Sequence, residues 1–159
     1  GEVRGAEWPE IDLHSRLWRI AADRMKPGKE HQIPLSTAAI GLLKTIPRLD
    51  GSELLFPSTS AGKISDMTLT AVLRRMDVDA TVHGFRSSFK DWCRNCTKYP
   101  DEVSELQLAH VNNDATRAAY ARDELLPQRT RLMQQWCQFL NSKQQSAKVV
   151  PIAGFNTEH

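Results

Sequence analysis

The sequence predicts an α+β fold that is mostly α, with a small antiparallel β-sheet of two to three strands near the N-terminus. The chain has 159 residues, which is enough for one domain with a substantial core. Pro27-Gly28 separates two segments with strand-like patterns, and apolar residues recur at helical spacing in the second half of the chain. We therefore expect one domain over residues 1–142, followed by a flexible tail or arm over residues 143–159.

Composition narrows the classes of protein that the chain can belong to. The net charge is +2 and the isoelectric point is about 8.5, so any binding of nucleic acid must depend on where the basic residues lie. No apolar run approaches the roughly 18 residues that a membrane span needs. Three cysteines, an odd number, fit a reducing cytoplasm better than a framework of disulfides.

The N-terminal third supplies the predicted sheet. The strand-like segments "SRLWRIA" and "EHQIPLS" lie on either side of the Pro27-Gly28 turn, and Ile11 and Leu13 belong to a preceding strand. "TAAIGLLKTI" predicts a short helix, and "ELLFPS" predicts a brief extended segment that ends at Pro57. The opening "GEVRGAEW" has the pattern of a helix tail, so we expect the chain to begin within an element, as a piece of a longer protein.

Helices fill the remainder of the predicted domain. Ser65 or Asp66 caps "MTLTAVLRRM", whose apolar side carries Leu69, Val72, Leu73 and Met76. The next helix begins near Val82, and Pro100-Asp101 starts "DEVSELQLAH". Asn113 or Asp114 caps "ATRAAYARDELL", which Pro127 interrupts. "QRTRLMQQWCQFL" is the last amphipathic helix, and its apolar face allows docking on its own domain or on a neighbouring protomer.

The helix that begins at "VHGFRSSFKDW" separates basic from aromatic residues. At about 100° per residue, one side carries His83, Arg86, Lys90 and Arg94. The opposite side carries Phe85, Phe89, Trp92 and Cys96, which we expect to face the core. A histidine and an arginine one turn apart can reach a single phosphate together. The alternative is a solvated basic face on an ordinary amphipathic helix.

A second group of residues lies downstream in "LQLAHVNNDATRAAYAR". His110 closes one predicted helix, and Tyr120 lies within the next, beside Arg117 and among alanines. A tyrosine with small neighbours is accessible, as a nucleophile must be. The alternative is a half-buried helical tyrosine whose ring packs and whose hydroxyl makes one hydrogen bond.

The motifs "HGFR", "LAH" and "RAAY", in this order and spacing, resemble the active-site boxes of the tyrosine recombinases, in particular the integrases of phages and genomic islands. The resemblance runs from Gly1 to about Leu140 and includes "GEVRGAEWPEIDL", "RMKPGKEHQIPLS" and "LFPS". It implies site-specific DNA recombination by strand cleavage and rejoining, through a covalent 3′-phosphotyrosyl intermediate. It also implies that the reaction uses no metal or other cofactor, because arginines stabilise the transition-state charge.

The resemblance also implies a role for each matching residue. Tyr120 would be the nucleophile and Arg86 the clamp on the scissile phosphate. His83 would accept a proton or donate to the phosphate, and His110 would hydrogen-bond the phosphate. Lys26 would protonate the leaving 5′-oxygen, with Lys29 across the same turn as the alternative.

The first box of the family reads Arg-x-Gly-Glu, and Gly1-Glu2 supplies its last two letters. The catalytic arginine of that box would lie two places before Gly1, so we expect the chain alone to cleave DNA poorly. Glu2 matches the family's acidic residue, which helps to hold the site. Arg4 lies five residues beyond the missing position, about 140° from its helix face, so we predict that Arg4 is not catalytic.

The resemblance suggests partners as well as chemistry. Double-stranded DNA at attachment sites is the expected substrate, and its backbone contacts are predicted for Arg74, Arg75, Lys90 and Arg117. A homotetramer on DNA, an accessory directionality factor and a DNA-associated place in the bacterial cytoplasm, as part of a prophage or other mobile element, are further expectations.

Three other functions compete with an integrase. One is a recombinase-like module that binds DNA without cutting it. Another is a type IB topoisomerase-like enzyme, which relaxes supercoils at no specific site. The third is a small zinc or redox domain built on Cys93 and Cys96, and a single C-x-x-C pair supports it poorly.

Overall fold

A computed structural model describes residues 1–110 and 125–142 of the chain. Over these residues there are five α-helices and one three-stranded antiparallel sheet. The elements are β1 (Ile11–Asp12), β2 (Leu17–Ile20), β3 (His31–Pro34), α1 (Thr37–Thr45), α2 (Asp66–Arg75), α3 (Gly84–Cys96), α4 (Asp101–Gln107) and α5 (Leu126–Asn141). The prediction of a mostly helical α+β fold with a small N-terminal sheet is confirmed. Of the predicted helix around Tyr120, residues 115–126, only residues 125 and 126 are described. The predicted tail lies outside the described residues.

The sheet forms where the strand-like segments predict it, with strand order β1-β2-β3. Trp18, in the middle of β2, is the register partner of Ile11 on one side and Ile33 on the other. The predicted turn is present, since the Gly28 N–H donates to the carbonyl of Met25 at 2.9 Å. Gly28 has φ +64°, which glycine adopts without steric cost. The turn is part of a longer β2–β3 connection, because a short 3-10 turn precedes it.

Two clusters of buried side chains form the interior. The first cluster lies between the N-terminal residues, the sheet and α1. It contains Ala6, Leu35, Leu43 and Leu55. The second joins α3, α4 and α5, and it contains Phe89, Trp92, Cys93, Val103 and Leu132. Aromatic contacts extend the second cluster, with Trp136 of α5 packed edge-on against Phe89 at 5.5 Å between ring centroids. The second cluster fixes the helices that carry the candidate site residues.

The buried side of α3 differs from the one that the sequence predicts. Phe85 is 53% exposed and Cys96 is exposed, although both were expected to face the core. Cys93 and Lys90 are buried instead. The difference arises because α4 and α5 pack across the middle of α3, so residues near its two ends extend beyond the contact. Similarly, α2 contains no buried residue, and its predicted apolar residue Met76 is 65% exposed.

The last described helix packs on its own domain. Leu132 is fully buried in the cluster with α3 and α4, and Gln134 accepts a hydrogen bond from the Thr37 N–H at 3.1 Å. Pro127 lies in the first turn of α5, where a missing N–H breaks no helical hydrogen bond. Among the described helices, none is long and apolar enough to cross a membrane.

Candidate active site

The start of α3 positions His83 and Arg86. His83 is the N-terminal capping residue, and its carbonyl accepts a hydrogen bond from the Arg86 N–H at 3.0 Å. The Thr81 hydroxyl caps the same turn by accepting from the Gly84 N–H at 2.9 Å. A Cβ at Gly84 would lie only 3.0 Å from that hydroxyl, so glycine allows the close approach. The local sequence Thr-Val-His-Gly thereby places both candidate site side chains on one exposed helix end.

Arg86 connects this helix end to the segment that precedes His110. Its Nη2 donates to the carbonyl of Leu108 at 2.7 Å. The side chain is otherwise exposed, and a guanidinium has five N–H donors. One contact therefore fixes the direction of the guanidinium, while donors remain available for a ligand oxygen.

Glu2 lies within the electrostatic range of Arg86. A hydrogen bond from its own backbone is the largest cause that lowers the pKa of Glu2, and the charge of Arg86 also lowers it. Arg24 holds this region in place, because its Nη2 donates to the Glu2 carbonyl at 3.0 Å and its Nη1 pairs with Glu10. Arg24 thus joins the N-terminal residues to Glu10, which precedes β1.

His110 follows α4 and is tied to it twice. Its backbone N–H donates to the carbonyl of Glu105 at 3.0 Å, and its Nδ1 lies 2.6 Å from Glu105 Oε2. Ala109 has φ +54°, a left-handed conformation that turns the chain sharply after the helix. The ring of His110 is half-exposed and oriented by a carboxylate on the helix before it.

Lys90 does not lie on an exposed basic face, and this part of the sequence interpretation is wrong. The residue is 8% exposed, and its Nζ contacts Ser104 Oγ at 2.7 Å, Asp101 Oδ1 at 2.8 Å and Glu105 Oε1. Burial acts to lower the pKa of Lys90, but hydrogen bonds to Asp101 and Glu105 outweigh it and raise the pKa overall. The Lys90 amine, which was expected to contact DNA, is therefore paired with acidic residues of α4.

The Lys90 ion pairs predict a pH dependence of stability. Hydrogen bonding to Lys90 lowers the pKa of Asp101. Burial would raise the pKa of Glu105, but hydrogen bonds from Lys90 and His110 lower it overall. Because both folded pKa values lie below the ordinary 3.8 and 4.5, this contribution to stability is complete above about pH 5 and is lost as the pH falls below about 4.

Urea unfolding at pH 7 and pH 3 measures this effect. We expect the free energy of unfolding to fall less between these two pH values in Lys90→Met than in the wild type, since the carboxyl pKa values return towards normal. Lys98→Met, which changes an exposed lysine, is the matched control and should keep the wild-type pH dependence. An equal fall in Lys90→Met and wild type would contradict the assignment.

The guanidinium of Arg4 is bound to residues at the start of α2. Its Nη1 donates to the Ile64 carbonyl at 2.9 Å, and its Nη2 pairs with Asp66 at the start of α2. These contacts join the N-terminal turn to α2. They give Arg4 a structural role, and its exclusion from catalysis stays a prediction.

Four of the remaining predicted residues are described by the structure, and all four are exposed. Lys26 is exposed in the β2–β3 connection, as is Lys29, and neither makes an ion pair with any residue in 1–110 or 125–142. Arg74 and Arg75 form the exposed last turn of α2. Tyr120 and Arg117 lie outside the described residues.

The two cysteines of the C-x-x-C motif are in different environments. Cys93 is buried, and burial raises the pKa of its thiol to about 11, whereas Cys96 is exposed. A thiol with so high a pKa is protonated at neutral pH and is a poor metal ligand. Within the described ranges, no group of three or more His, Cys, Asp or Glu side chains is arranged to hold a metal ion.

Sequence reasoning missed two residues that support the site. The sequence contains a signal for Glu105, because Asp101, Ser104 and Glu105 share one face of α4 at spacings of three and four residues. Arg129 gave no local signal, since nothing in "PQRTR" distinguishes it from Arg131. In the structure Arg129 is 4% exposed and Arg131 is exposed.

Comparisons with known proteins identify the family of the chain. Residues 1–125 match the model of the phage integrase family, a match that includes the sheet, α1 to α4 and the sequence around Tyr120. This defines the class as a tyrosine recombinase catalytic domain. Since the match covers well over half of the chain, the chain belongs to the phage integrase family.

Individual relatives come from phages and prophages. The chain is 35% identical over 160 residues to the integrase of Enterobacteria phage P4, and the alignment covers 88% of this chain and 36% of that protein. It is 34% identical over 146 residues to the prophage integrase IntA of Escherichia coli K12, covering 89% of this chain and 35% of that protein. The chain thus spans little more than a third of the length of these relatives. No solved structure matches.

Proposed function

We propose that this chain supplies the catalytic part of a site-specific DNA integrase. The observation that carries the proposal is the hydrogen bond from Arg86 to the Leu108 carbonyl, which joins the His83–Arg86 helix end to the segment leading to His110. Two elements that are distant in sequence thereby present an arginine and two histidines in one region. Such a group suits a phosphodiester whose oxygens gain negative charge during cleavage.

In the proposed reaction the hydroxyl of Tyr120 attacks the scissile phosphorus of double-stranded DNA. The bond from phosphorus to the 5′-oxygen breaks, and a 3′-phosphotyrosyl bond replaces it, so rejoining by a 5′-hydroxyl needs no external energy source. His83 takes the tyrosine proton, Lys26 gives a proton to the leaving oxygen, and Arg86 and His110 bind the phosphoryl oxygens. Glu2 supports Arg86 electrostatically.

The proposed substrate is a pair of DNA attachment sites, and the proposed assembly is a homotetramer on that DNA, with a directionality factor as an accessory protein. Arg74, Arg75 and Arg117 are proposed to contact the DNA backbone. The exposed last turn of α2 is consistent with this role for the first two. Lys90 is left out of this group because its amine is buried in ion pairs.

Covalent trapping tests the proposal. The full reading frame that contains this chain is mixed with nicked duplex carrying the element's own junction, and a denaturing gel reveals any protein–DNA adduct. We expect an adduct in the wild type and none in Tyr120→Phe. Tyr99→Phe removes the hydroxyl of the other tyrosine in these 159 residues and should keep the adduct.

The other outcomes point to the competing functions. No adduct, together with DNA binding that weakens with salt, would replace the integrase by a non-cutting DNA-binding module. Relaxation of supercoiled plasmids that lack the junction would favour a topoisomerase-like enzyme. An adduct that persists in Tyr120→Phe would contradict the assignment of the nucleophile.

A further inference from the structure

Glu105 contacts both a buried lysine, Lys90, and a candidate catalytic histidine, His110. Its Oε2 lies 2.6 Å from His110 Nδ1, while its Oε1 pairs with Lys90 Nζ. Each carboxylate oxygen therefore has its own charged or ring partner. The side chain of Glu105 is only one-fifth exposed, so solvent competes little for these contacts.

The lysine that holds Glu105 is itself fixed on several sides. Lys90 also contacts Asp101 Oδ1 at 2.8 Å and Ser104 Oγ at 2.7 Å. The Ser104 hydroxyl donates in turn to the backbone carbonyl of Asp101 at 2.8 Å. All three donor positions of the ammonium group are thus used by α4, which makes Lys90 a rigid anchor for the Glu105 carboxylate.

A carboxylate can only accept a hydrogen bond, so the nitrogen that faces Glu105 must carry a proton. This fixes the proton of a neutral His110 ring on Nδ1 and leaves Nε2 as the nitrogen available to a ligand. When the ring takes up a second proton, Nε2 becomes a donor aimed away from Glu105. The backbone hydrogen bond from His110 N–H to the Glu105 carbonyl restricts the ring position further.

We propose that Glu105, anchored by Lys90, is a positioning residue that sets the tautomer of His110 and presents its Nε2 to the scissile phosphate. The proposal rests on the proposed function for its last step, since a phosphate at Nε2 requires the DNA-cleaving role of the site. In this proposal Lys90 does not contact DNA and acts indirectly, by holding Glu105.

The tautomer of His110 is the first measurement, and it needs no DNA. Nitrogen-15 NMR of the imidazole rings at alkaline pH distinguishes a proton on Nδ1 from one on Nε2, and His110→Asn assigns the signal. We expect the Nδ1–H form in the wild type. In Glu105→Gln, the amide oxygen should face the donor Lys90 and the NH₂ group should face His110, so the tautomer should change to Nε2–H.

Glu102→Gln is the matched control, because it removes the same charge from the same helix without a partner on His110. It should leave the ring signals unchanged. A wild-type ring in the Nε2–H form, or a Glu105→Gln ring that keeps Nδ1–H, would overturn the proposal.

The second measurement is the single-turnover cleavage rate of the full reading frame on the junction DNA. We expect Glu105→Gln to slow cleavage about tenfold to a hundredfold, by analogy with the carboxylate partners of metal-ligating histidines, with little change in DNA affinity. In a His110→Ala background the same substitution should cause no further loss. A loss of equal size in both backgrounds would show that Glu105 acts through folding and would overturn the positioning role.

The two proposals can fail separately. A wild-type protein that forms no covalent adduct, while His110 holds its Nδ1 proton, would overturn the proposed function and keep the positioning of the ring. An adduct that forms normally, with the cleavage rate unaffected by Glu105→Gln, would keep the integrase function and overturn the role of Glu105.

Discussion

Replacing Arg86 with alanine is expected to slow DNA strand cleavage by about 10²- to 10³-fold, the usual cost of removing one preorganised donor from a transition-state oxyanion. The guanidinium is directed by one hydrogen bond to the Leu108 carbonyl, and its other donors are available to a ligand. In the proposed reaction that ligand is the scissile phosphate. Arg86→Lys should recover little of the rate, because an ammonium group cannot bind two oxygens side by side in a fixed plane.

The measurement is the single-turnover rate of adduct formation, with DNA affinity determined separately by titration. Arg131→Ala is the control, since Arg131 is an exposed arginine on α5 without a hydrogen bond to any described residue. It should stay within about threefold of the wild-type rate, as surface substitutions commonly do. A fall in affinity that accounts for the whole loss in Arg86→Ala would instead identify Arg86 as a binding residue only.

The second large effect is expected for stability, at Arg129. This arginine is buried, and burial lowers its pKa to about 10. Its Nε donates to Gln107 Oε1 at 3.0 Å, and its Nη2 donates to the Gln32 carbonyl. Arg129→Ala leaves both acceptors without this donor and opens a cavity, so the free energy of unfolding should fall by about 2 to 4 kcal/mol.

Urea unfolding at neutral pH checks the size of this effect. Arg129→Met keeps most of the aliphatic volume and removes the buried charge, so it should cost less than alanine, although both acceptors still lose their donor. Arg131→Ala, on the exposed side of the same helix, should change stability by less than about 0.5 kcal/mol. Equal stability of Arg129→Ala and Arg131→Ala would contradict the structural role of the buried guanidinium.

Arg129 also links α5 to elements that support the candidate site. Through Gln107 it reaches α4, the helix that carries Glu105, and through Gln32 it reaches β3. The carbonyl of Gln107 contacts His31 Nε2 at 3.2 Å, which links the sheet to the same helix. The packing of α5 therefore helps to fix the segment on which His110 depends.

Local patterns in the sequence were sufficient for most of the elements. Strand-like segments and the Pro27-Gly28 turn indicated the hairpin, and Ser65 or Asp66 marked the start of α2, which begins at Asp66. The last helix was predicted from Gln128, and it begins two residues earlier because Pro127 fits within a first helical turn. These features depend on neighbouring residues, so they are readable without the fold.

The sides of the helices were harder to predict, because burial depends on what packs against them. Lys90 falls beside the basic residues on a helical wheel, but α4 brings Asp101 and Glu105 against it from later in the chain. Phe85 has the character of a core residue, but no described element covers the end of α3 where it lies. Residue type and spacing contain no information about such distant partners.

The sequence by itself determined the α+β class, the positions of the hairpin and helices, and the motifs that place the chain among the integrases. Only the tertiary structure decided that Lys90 is buried in ion pairs and is not an exposed base, that Glu105 contacts His110, and that Arg129 is buried whereas Arg131 is exposed. The physical reason is the range of the interactions. Caps, turns and periodicity act within a few residues, whereas a buried charge is stable only where the fold brings a distant partner to it.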